Sequence, residues 1–153
     1  MKKITPFLWF DKNLKEITDF YVSVFPDAKV ESNGELSDTP SGDVEMATLT
    51  IFGQELSLMT AGSMFKFNEA ISFVVNCETQ EEIDYYWEKL TANGGSESQC
   101  GWLKDKYGLS WQIVPTALGE LMSKANDEER GKLTQAFLQM KKFDIKKLQS
   151  AII

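Results

Sequence analysis

The sequence predicts an α+β domain in two similar halves, followed by a helical tail over residues 116–153. Short runs rich in β-branched and aromatic residues, bounded by turn residues, indicate strands. In each half the first strand precedes a segment whose apolar residues recur at helical spacing. Because the order of elements over 3–61 is similar to that over 69–115, we expect a single domain containing a diverged internal repeat.

The first half predicts four strands and one helix. Apolar runs place the strands, in order, over 3–10, 28–36, 44–52 and 55–61. The helix begins after Asn13, a residue type that caps helices, and ends before Pro26. Turn residues predict a loop over 37–43, and Gly53 with Gln54 predicts the tight turn of a hairpin.

The second half predicts a strand, a helix and a hairpin. The strands are placed over 70–77, 96–104 and 109–115. A Thr-x-x-Glu capping box at Thr79 and Glu82 begins the helix, which runs to about Ala92. The hairpin turn over 105–108 has Gly108 at a position that favours positive φ.

The tail predicts further helices with an apolar face at Leu133, Phe137 and Met140. Two interpretations of this face stay open. It packs on the domain itself, or it covers the partner in a dimer.

Composition excludes several classes of protein. The net charge of −7 opposes a nucleic-acid surface, because a phosphate backbone selects clustered Lys and Arg. No apolar stretch approaches the ~20 residues that span a bilayer, and the N-terminal apolar run is too short for a secretory signal, so we expect a cytoplasmic location. Cys77 and Cys100 imply no disulfide framework and are expected to be buried thiols.

The sequence contains no histidine. Imidazole is the commonest transition-metal ligand and the usual general base near neutral pH. Its absence excludes His-based catalytic triads and His-Glu-x-x-His zinc sites, so any chemistry must use carboxylates, thiols, amides, Tyr or Lys.

Five segments in order, ITPFLWFD, FYVSVFPDA, FKFNEAISFVVNCETQEEIDYYWEKL, QCGWLKDKYGLSWQIVPT and LTQAFLQMKKFDI, resemble the PhnB-like family. This family also carries a demethylubiquinone methyltransferase label. The resemblance spans nearly the whole chain and places it in the vicinal-oxygen-chelate superfamily. It implies the glyoxalase/bleomycin-resistance fold, in which paired βαβββ modules form a curved mixed sheet around a pocket, usually in dimers.

Metal-dependent members of that superfamily hold the ion with four side chains from the first and last strands of each half. The resemblance places the corresponding positions at Pro6 or Thr5, Met59, Ala70 and Gln112. Pro, Met and Ala side chains offer a divalent ion no oxygen or imidazole nitrogen, and Gln112 alone is a weak neutral ligand. Even Glu69 beside Gln112 would leave half of the shell empty, so we expect no metal and no other cofactor.

The methyltransferase label has no support in the sequence. An adenosine-containing methyl donor generally requires a strand, a glycine-rich turn and a helix in a parallel unit. The glycines at Gly94, Gly95 and Gly101 do not stand in that context.

Strand alternation predicts which side chains line a pocket, since residues two apart share a face. The candidates form a mostly apolar wall with a few polar groups: Pro6, Leu8, Met59, Ala70, Ser72, Trp102, Ser110 and Gln112. The alternative is that these side chains simply fill the core.

Three residues are candidates for catalysis. Gln112 supplies a polar amide, and Glu69 could act as a base if desolvation raised its pKa; otherwise it is a solvated carboxylate at a strand edge. Cys100 could be a nucleophile if its thiolate were stabilised, and is otherwise an inert thiol. Two functions therefore stay open, a metal-independent enzyme and a non-catalytic binder, each acting on a small organic molecule. A ligand-free structural dimer is a third.

Overall fold

A computed structural model describes residues 2–153, and the chain divides after Lys66 into two compact units. Each unit contains one four-stranded mixed sheet, and in each sheet the first strand pairs in parallel with the last. The predicted α+β class is therefore confirmed. Among residues 2–153, no helix combines the length and the apolar character needed to cross a bilayer.

The first unit has the order βαβββ, and its strands lie side by side as β1-β4-β3-β2. Its elements are β1 (Phe7–Phe10), α1 (Leu14–Val24), β2 (Lys29–Thr39), β3 (Gly42–Ile51) and β4 (Gln54–Thr60). Helix α1 buries Ile17 and Tyr21, and the sheet contributes the buried Leu49 and Leu58 to the same core. The first strand begins at Phe7, four residues later than predicted.

Helix α1 begins at Leu14, directly after Asn13 as predicted, but its cap differs from the prediction. Asn13 adopts a left-handed conformation with φ 62° and makes no capping bond through its side chain. Its role is taken by Glu45 of β3, whose Oε2 accepts a hydrogen bond from the Leu14 amide at 3.3 Å. The cap is thus supplied from a distant strand, which local sequence does not reveal.

Two turns in the first unit also differ. The predicted loop over 37–43 is wrong, because β2 continues to Thr39 and β3 already begins at Gly42. Only Pro40 and Ser41 lie between the two strands. The Thr39 hydroxyl closes this short turn by accepting from the Ser41 amide at 3.1 Å and donating to the Gly42 carbonyl at 2.6 Å. In the next hairpin the turn residues are Phe52 and Gly53, both with positive φ, rather than Gly53 and Gln54.

The second unit has the same βαβββ order and the same strand arrangement, β5-β8-β7-β6. Its elements are β5 (Ser72–Cys77), α2 (Gln80–Thr91), a 3-10 turn (Ala92–Gly94), β6 (Ser96–Glu97), β7 (Trp102–Lys104), β8 (Ser110–Pro115), α3 (Thr116–Lys124), α4 (Asp127–Leu138) and α5 (Ile145–Ser150). The predicted capping box is confirmed, since Thr79 and Glu82 bond each other's backbone amides.

The predicted strand over 96–104 is wrong. Cys100 and Gly101 have φ of 56° and 80°, so the chain reverses and forms two short antiparallel strands, β6 and β7. The next turn is confirmed. Asp105 organises it by accepting from the Leu109 amide at 3.1 Å and from Trp111 Nε1 at 2.9 Å, and Gly108 has φ 83°.

The tail packs within the second unit. Leu133 and Leu148 are fully buried, and Phe137 lies against the buried Phe143. The Gln80 side chain of α2 donates to the Phe143 carbonyl at 3.0 Å and accepts from the Ile145 amide at 2.9 Å. The interpretation that this face packs on its own domain therefore accounts for the buried part of the tail.

Candidate functional site

The second sheet has one covered face and one open face. Val75, Leu103, Trp111 and Ile113 are buried on the face that packs against α2. Because successive side chains alternate between faces, the residues between them belong to the opposite face.

Strand register defines the open face. Ser72 lies opposite Ser110, Gln112 lies opposite both Val74 and Trp102, and Lys104 also lies opposite Ser110. Gln112 Nε2 donates a hydrogen bond to Ser72 Oγ at 2.9 Å. The structure thus brings together four of the predicted pocket residues, which are Ser72, Trp102, Ser110 and Gln112.

A groove of about 180 Å³ lies over part of this face, and we name it the Ser110 groove. It is lined by Glu69, Ser96, Glu97, Ser98, Trp102, Leu103, Lys104 and Ser110. A groove of this size accommodates a small molecule or one end of a larger one.

Ser110 is the most unusual residue of the groove. It is only 1% exposed, and within residues 2–153 its hydroxyl oxygen has no hydrogen-bond partner. Buried polar side chains are normally hydrogen-bonded, so an orphan hydroxyl that lines a groove requires an explanation.

The charged groups at the groove are paired. Lys104 Nζ lies 2.5 Å from Glu69 Oε1, and this contact with the ammonium holds the pKa of Glu69 below its usual value. Glu97 Oε1 accepts a hydrogen bond from Trp87 Nε1 at 2.8 Å, and its second oxygen lies 4.0 Å from Lys141 Nζ. Both carboxylates therefore already have partners within the second unit.

The three predicted catalytic residues do not converge. Glu69 is exposed and its pKa is lowered, which contradicts a base whose pKa is raised by desolvation. Cys100 is half-buried in the turn between β6 and β7, and its backbone amide donates to the Met140 carbonyl at 2.8 Å. Gln112 bonds Ser72, and of the three only Glu69 lines the groove.

The predicted pocket residues of the first unit do not share one face. Leu8 is buried with the core, whereas Met59 pairs in register with Trp9, one residue along β1, and so belongs to the opposite face. Pro6 precedes β1, and its carbonyl accepts from the Ser57 amide at 2.9 Å. The grouping of Leu8 with Met59 is therefore wrong.

Ala70 also lies outside the strand in which it was predicted. Strand β5 begins at Ser72, and Ala70 is exposed in the preceding turn, where its amide donates to Asn68 Oδ1 at 2.9 Å. It does not line the Ser110 groove.

The first unit has a larger groove, of about 390 Å³, beside α1, β2 and β3. Its polar groups are largely satisfied by the protein. Lys15 pairs with Asp19 at 2.6 Å, Thr18 Oγ1 donates to the Lys15 carbonyl, and Glu45 accepts from Thr60 Oγ1. Within residues 2–153, no buried side-chain polar atom of this larger groove lacks a hydrogen-bond partner, which distinguishes it from the Ser110 groove.

Sequence reasoning missed five residues of the Ser110 groove: Ser96, Glu97, Ser98, Leu103 and Lys104. Lys104 could have been found, because it lies two residues from Trp102 and shares its face. Ser96, Glu97 and Ser98 follow from the reversal at Cys100 and Gly101, which the strand prediction did not include. Leu103 belongs to the covered face, opposite to that of Trp102. Over residues 2–153, no three His, Cys, Asp or Glu side chains cluster closely enough to hold a metal ion.

Two βαβββ units, each with its last strand parallel to its first, define the class as the glyoxalase/bleomycin-resistance fold. Solved structures agree. Protein PA1353 from Pseudomonas aeruginosa is 18% identical, covers 75% of this chain and 98% of its own, and has a TM-score of 0.62. The fosfomycin resistance protein FosX from Listeria monocytogenes is 16% identical, covers 74% and 93%, and has a TM-score of 0.54.

The particular family follows from closer matches. The profile of the 3-demethylubiquinone-9 3-methyltransferase family matches residues 2–114, and the chain belongs to this family. A PhnB protein from Bacillus cereus that carries the same name is 33% identical, covers 75% of this chain and 100% of its own, and has a TM-score of 0.66. A search among curated protein sequences finds no match.

Proposed function

We propose that this chain binds a small organic molecule, or the polar end of one, in the Ser110 groove. The observation that carries this proposal is the Ser110 hydroxyl, which is buried, lines the groove and makes no hydrogen bond within the described chain. Leaving a buried hydroxyl unsatisfied costs about 1–3 kcal/mol, which a ligand that hydrogen-bonds to it would recover.

The walls of the groove support the same proposal. Trp102 offers a large aromatic surface to the apolar part of a ligand, while Ser96 and Ser98 add hydroxyls that can donate or accept. An apolar surface beside a few placed polar groups is the usual composition of a small-molecule site.

Binding without catalysis is the function that the geometry supports best. A catalytic site needs groups within reach of one reacting atom, and Glu69, Cys100 and Gln112 do not line one groove together. A metal-independent enzyme remains the second candidate, because Glu69 does line the groove as an ionised carboxylate.

The family name does not decide the activity. Gly94 and Gly95 follow a helix, and Gly101 lies in an antiparallel turn, so neither place is the strand-to-helix turn that binds an adenosine-containing methyl donor. We therefore propose no methyl transfer for this chain.

A compound screen on the wild-type protein and two serine variants tests the proposal. A ligand that binds only the folded state adds about 2.7 kcal/mol to its stability at 100 times the Kd, which a thermal-shift assay detects. Ser110→Ala should weaken the affinity about 2- to 13-fold, the effect of one hydrogen bond. The control Ser72→Ala removes the same hydroxyl from the same face but outside the groove, and should leave the affinity unchanged.

Two results would contradict binding in this groove. One is a screen of metabolites and antibiotics in which no compound stabilises the wild-type protein. The other is a ligand whose affinity falls equally in both serine variants, which would place it elsewhere on the sheet. Turnover of the bound compound would move the assignment to the metal-independent enzyme.

We extend the proposal to the oligomeric state of the chain, its need for a metal, its cellular location and its origin by duplication. We propose a homodimer located in the cytoplasm. We also propose that the chain needs no metal, which is supported by the absence of His and by Pro6 or Thr5, Met59 and Ala70 at three of the positions that the family resemblance matches to ligands of the ion. The equal strand order of the two sheets supports a duplication of 3–61 and 69–115 with an added extension over 116–153. Gel filtration and metal analysis of the purified protein test assembly and metal content.

A further inference from the structure

We infer that the molecule bound in the Ser110 groove carries an anionic group of the carboxylate or phosphate kind, which displaces Glu69 from Lys104. This inference rests on the proposed binding in the Ser110 groove and adds the chemical class of the ligand. The juxtaposition that carries it is a lysine ammonium on one strand and, on the adjacent strand, a buried hydroxyl that has no hydrogen-bond partner among residues 2–153.

The two donors stand together by strand register. Lys104 of β7 lies directly opposite Ser110 of β8, and both line the groove. A lysine ammonium has three donors and no acceptor, and a serine hydroxyl can donate one hydrogen bond. An anion placed between them would accept from both, and hydrogen bonds between charged groups are among the strongest in proteins.

The contact with Glu69 indicates which kind of group Lys104 binds, namely a carboxylate. Its carboxylate lies 2.5 Å from the ammonium and belongs to the turn before β5, outside any strand or helix. The Glu69 side chain is 64% exposed, whereas that of Lys104 is 35% exposed and extends from strand β7. An exposed ion pair contributes little to stability, so Glu69 can leave for water while Lys104 remains at the groove.

A cationic ligand fits this arrangement less well. It would have to displace Lys104, the more buried member of the pair and the one held on a strand. The other carboxylate of the groove, Glu97, already accepts from Trp87 Nε1 at 2.8 Å. Exchange of one carboxylate for another on Lys104 leaves every other contact of the groove in place.

The test uses the full chain and small probes of matched size. Acetate, inorganic phosphate and methylphosphonate are titrated by NMR, with acetamide as the neutral match and methylammonium as the cationic match. Sodium chloride at equal ionic strength controls for general screening. We expect the three anions to shift the Ser110 and Trp102 resonances, and the neutral and cationic probes to leave them unchanged.

Variants with matched controls give the decisive comparison. Glu69→Gln frees Lys104 and should strengthen anion binding about twofold to fivefold, whereas Glu81→Gln makes the same change in charge on an exposed helical turn and should not. Lys104→Met should weaken anion binding at least about tenfold. Lys106→Met removes a lysine that does not line the groove and should leave binding intact.

The outcomes separate this inference from the proposed function. A ligand that is neutral or cationic, yet still sensitive to Ser110→Ala, would overturn the anionic class and preserve binding in the groove. Anion binding that is equal in wild type, Glu69→Gln and Lys104→Met would also overturn the inference. A protein that binds no probe and no compound of the screen would overturn both.

Discussion

Replacing Gly101 with alanine should destabilise the protein, because the added Cβ would clash with Phe143 in the helical tail. Gly101 has φ 80°, where a residue with a Cβ costs about 1–2 kcal/mol. An added Cβ would lie 2.5 Å from Phe143 Cε2 and 2.8 Å from the Ile113 carbonyl oxygen. Phe143 is 3% exposed, and forcing extra volume into a packed core typically costs about 1–3 kcal/mol.

The backbone at this point cannot easily move away. The Ile113 amide donates to the Gly101 carbonyl at 2.8 Å, and the Gly101 amide donates to the Lys141 carbonyl at 2.8 Å. A shift that relieved the contact would weaken these bonds. We therefore expect Gly101→Ala to lower the free energy of unfolding by about 2–5 kcal/mol.

Gly108→Ala is the matched control. Gly108 has φ 83°, but no atom of the described residues lies within 4 Å of the Cβ that alanine would add. It should cost only the conformational part, about 1–2 kcal/mol. Urea unfolding of both variants measures the difference, and each kcal/mol should move the Tm by about 2–4 °C for a chain of this length.

Equal destabilisation by the two variants would refute the steric argument. A double-mutant cycle sharpens the test, because Phe143→Ala removes the ring that the new Cβ would meet. The cost of Gly101→Ala should then fall toward that of Gly108→Ala. An unchanged cost in the Phe143→Ala background would show that the tail is not the source of the strain.

Two further predictions concern the thiols and the tail. Burial raises the pKa of the Cys77 thiol to about 12, and the nearby charge of Glu82 is a smaller cause. A thiol reagent at neutral pH should therefore modify the half-buried Cys100 and reach Cys77 only after unfolding. Cys100→Ser should then leave the folded protein unreactive, and fast labelling of that variant would contradict the prediction. Gln80→Ala removes both hydrogen bonds to the backbone around Phe143 and should lower the free energy of unfolding by about 1–3 kcal/mol. Amide hydrogen exchange over α5 should become faster. Exchange that stays slow would mean that side-chain packing alone holds the tail.

The elements that the sequence predicted correctly are those decided by local chemistry. The capping box at Thr79 and Glu82 fixes the start of α2, and the alternation in 109–115 fixes β8. The cap of α1 could not be predicted, because it comes from Glu45, 31 residues from Leu14. The reversal at Cys100 was missed because a non-glycine residue adopts positive φ there, and cysteine is not a residue type that indicates this conformation.

The candidate site was predictable only within one strand pair at a time. Trp102, Ser110 and Gln112 lie on adjacent strands of one hairpin, so a period of two places them on a common face. Leu8 and Met59 come from separate strands, and an error of one residue in their register exchanges the two faces. The pairing of Glu69 with Lys104 joins a turn to a strand, which no periodicity describes.

The tail also bears on the groove itself. The family profile ends at residue 114, yet the turn that carries the Ser96–Glu97 side of the groove is fastened to residues beyond that point. The Cys100 amide donates to the Met140 carbonyl, and the Lys141 side chain lies 4.0 Å from Glu97 Oε2. One wall of the Ser110 groove is therefore fastened to a segment that lies beyond the residues matched by the family profile. We therefore expect substitutions in the tail to alter the affinity for the ligand proposed for this groove, although no tail residue lines it.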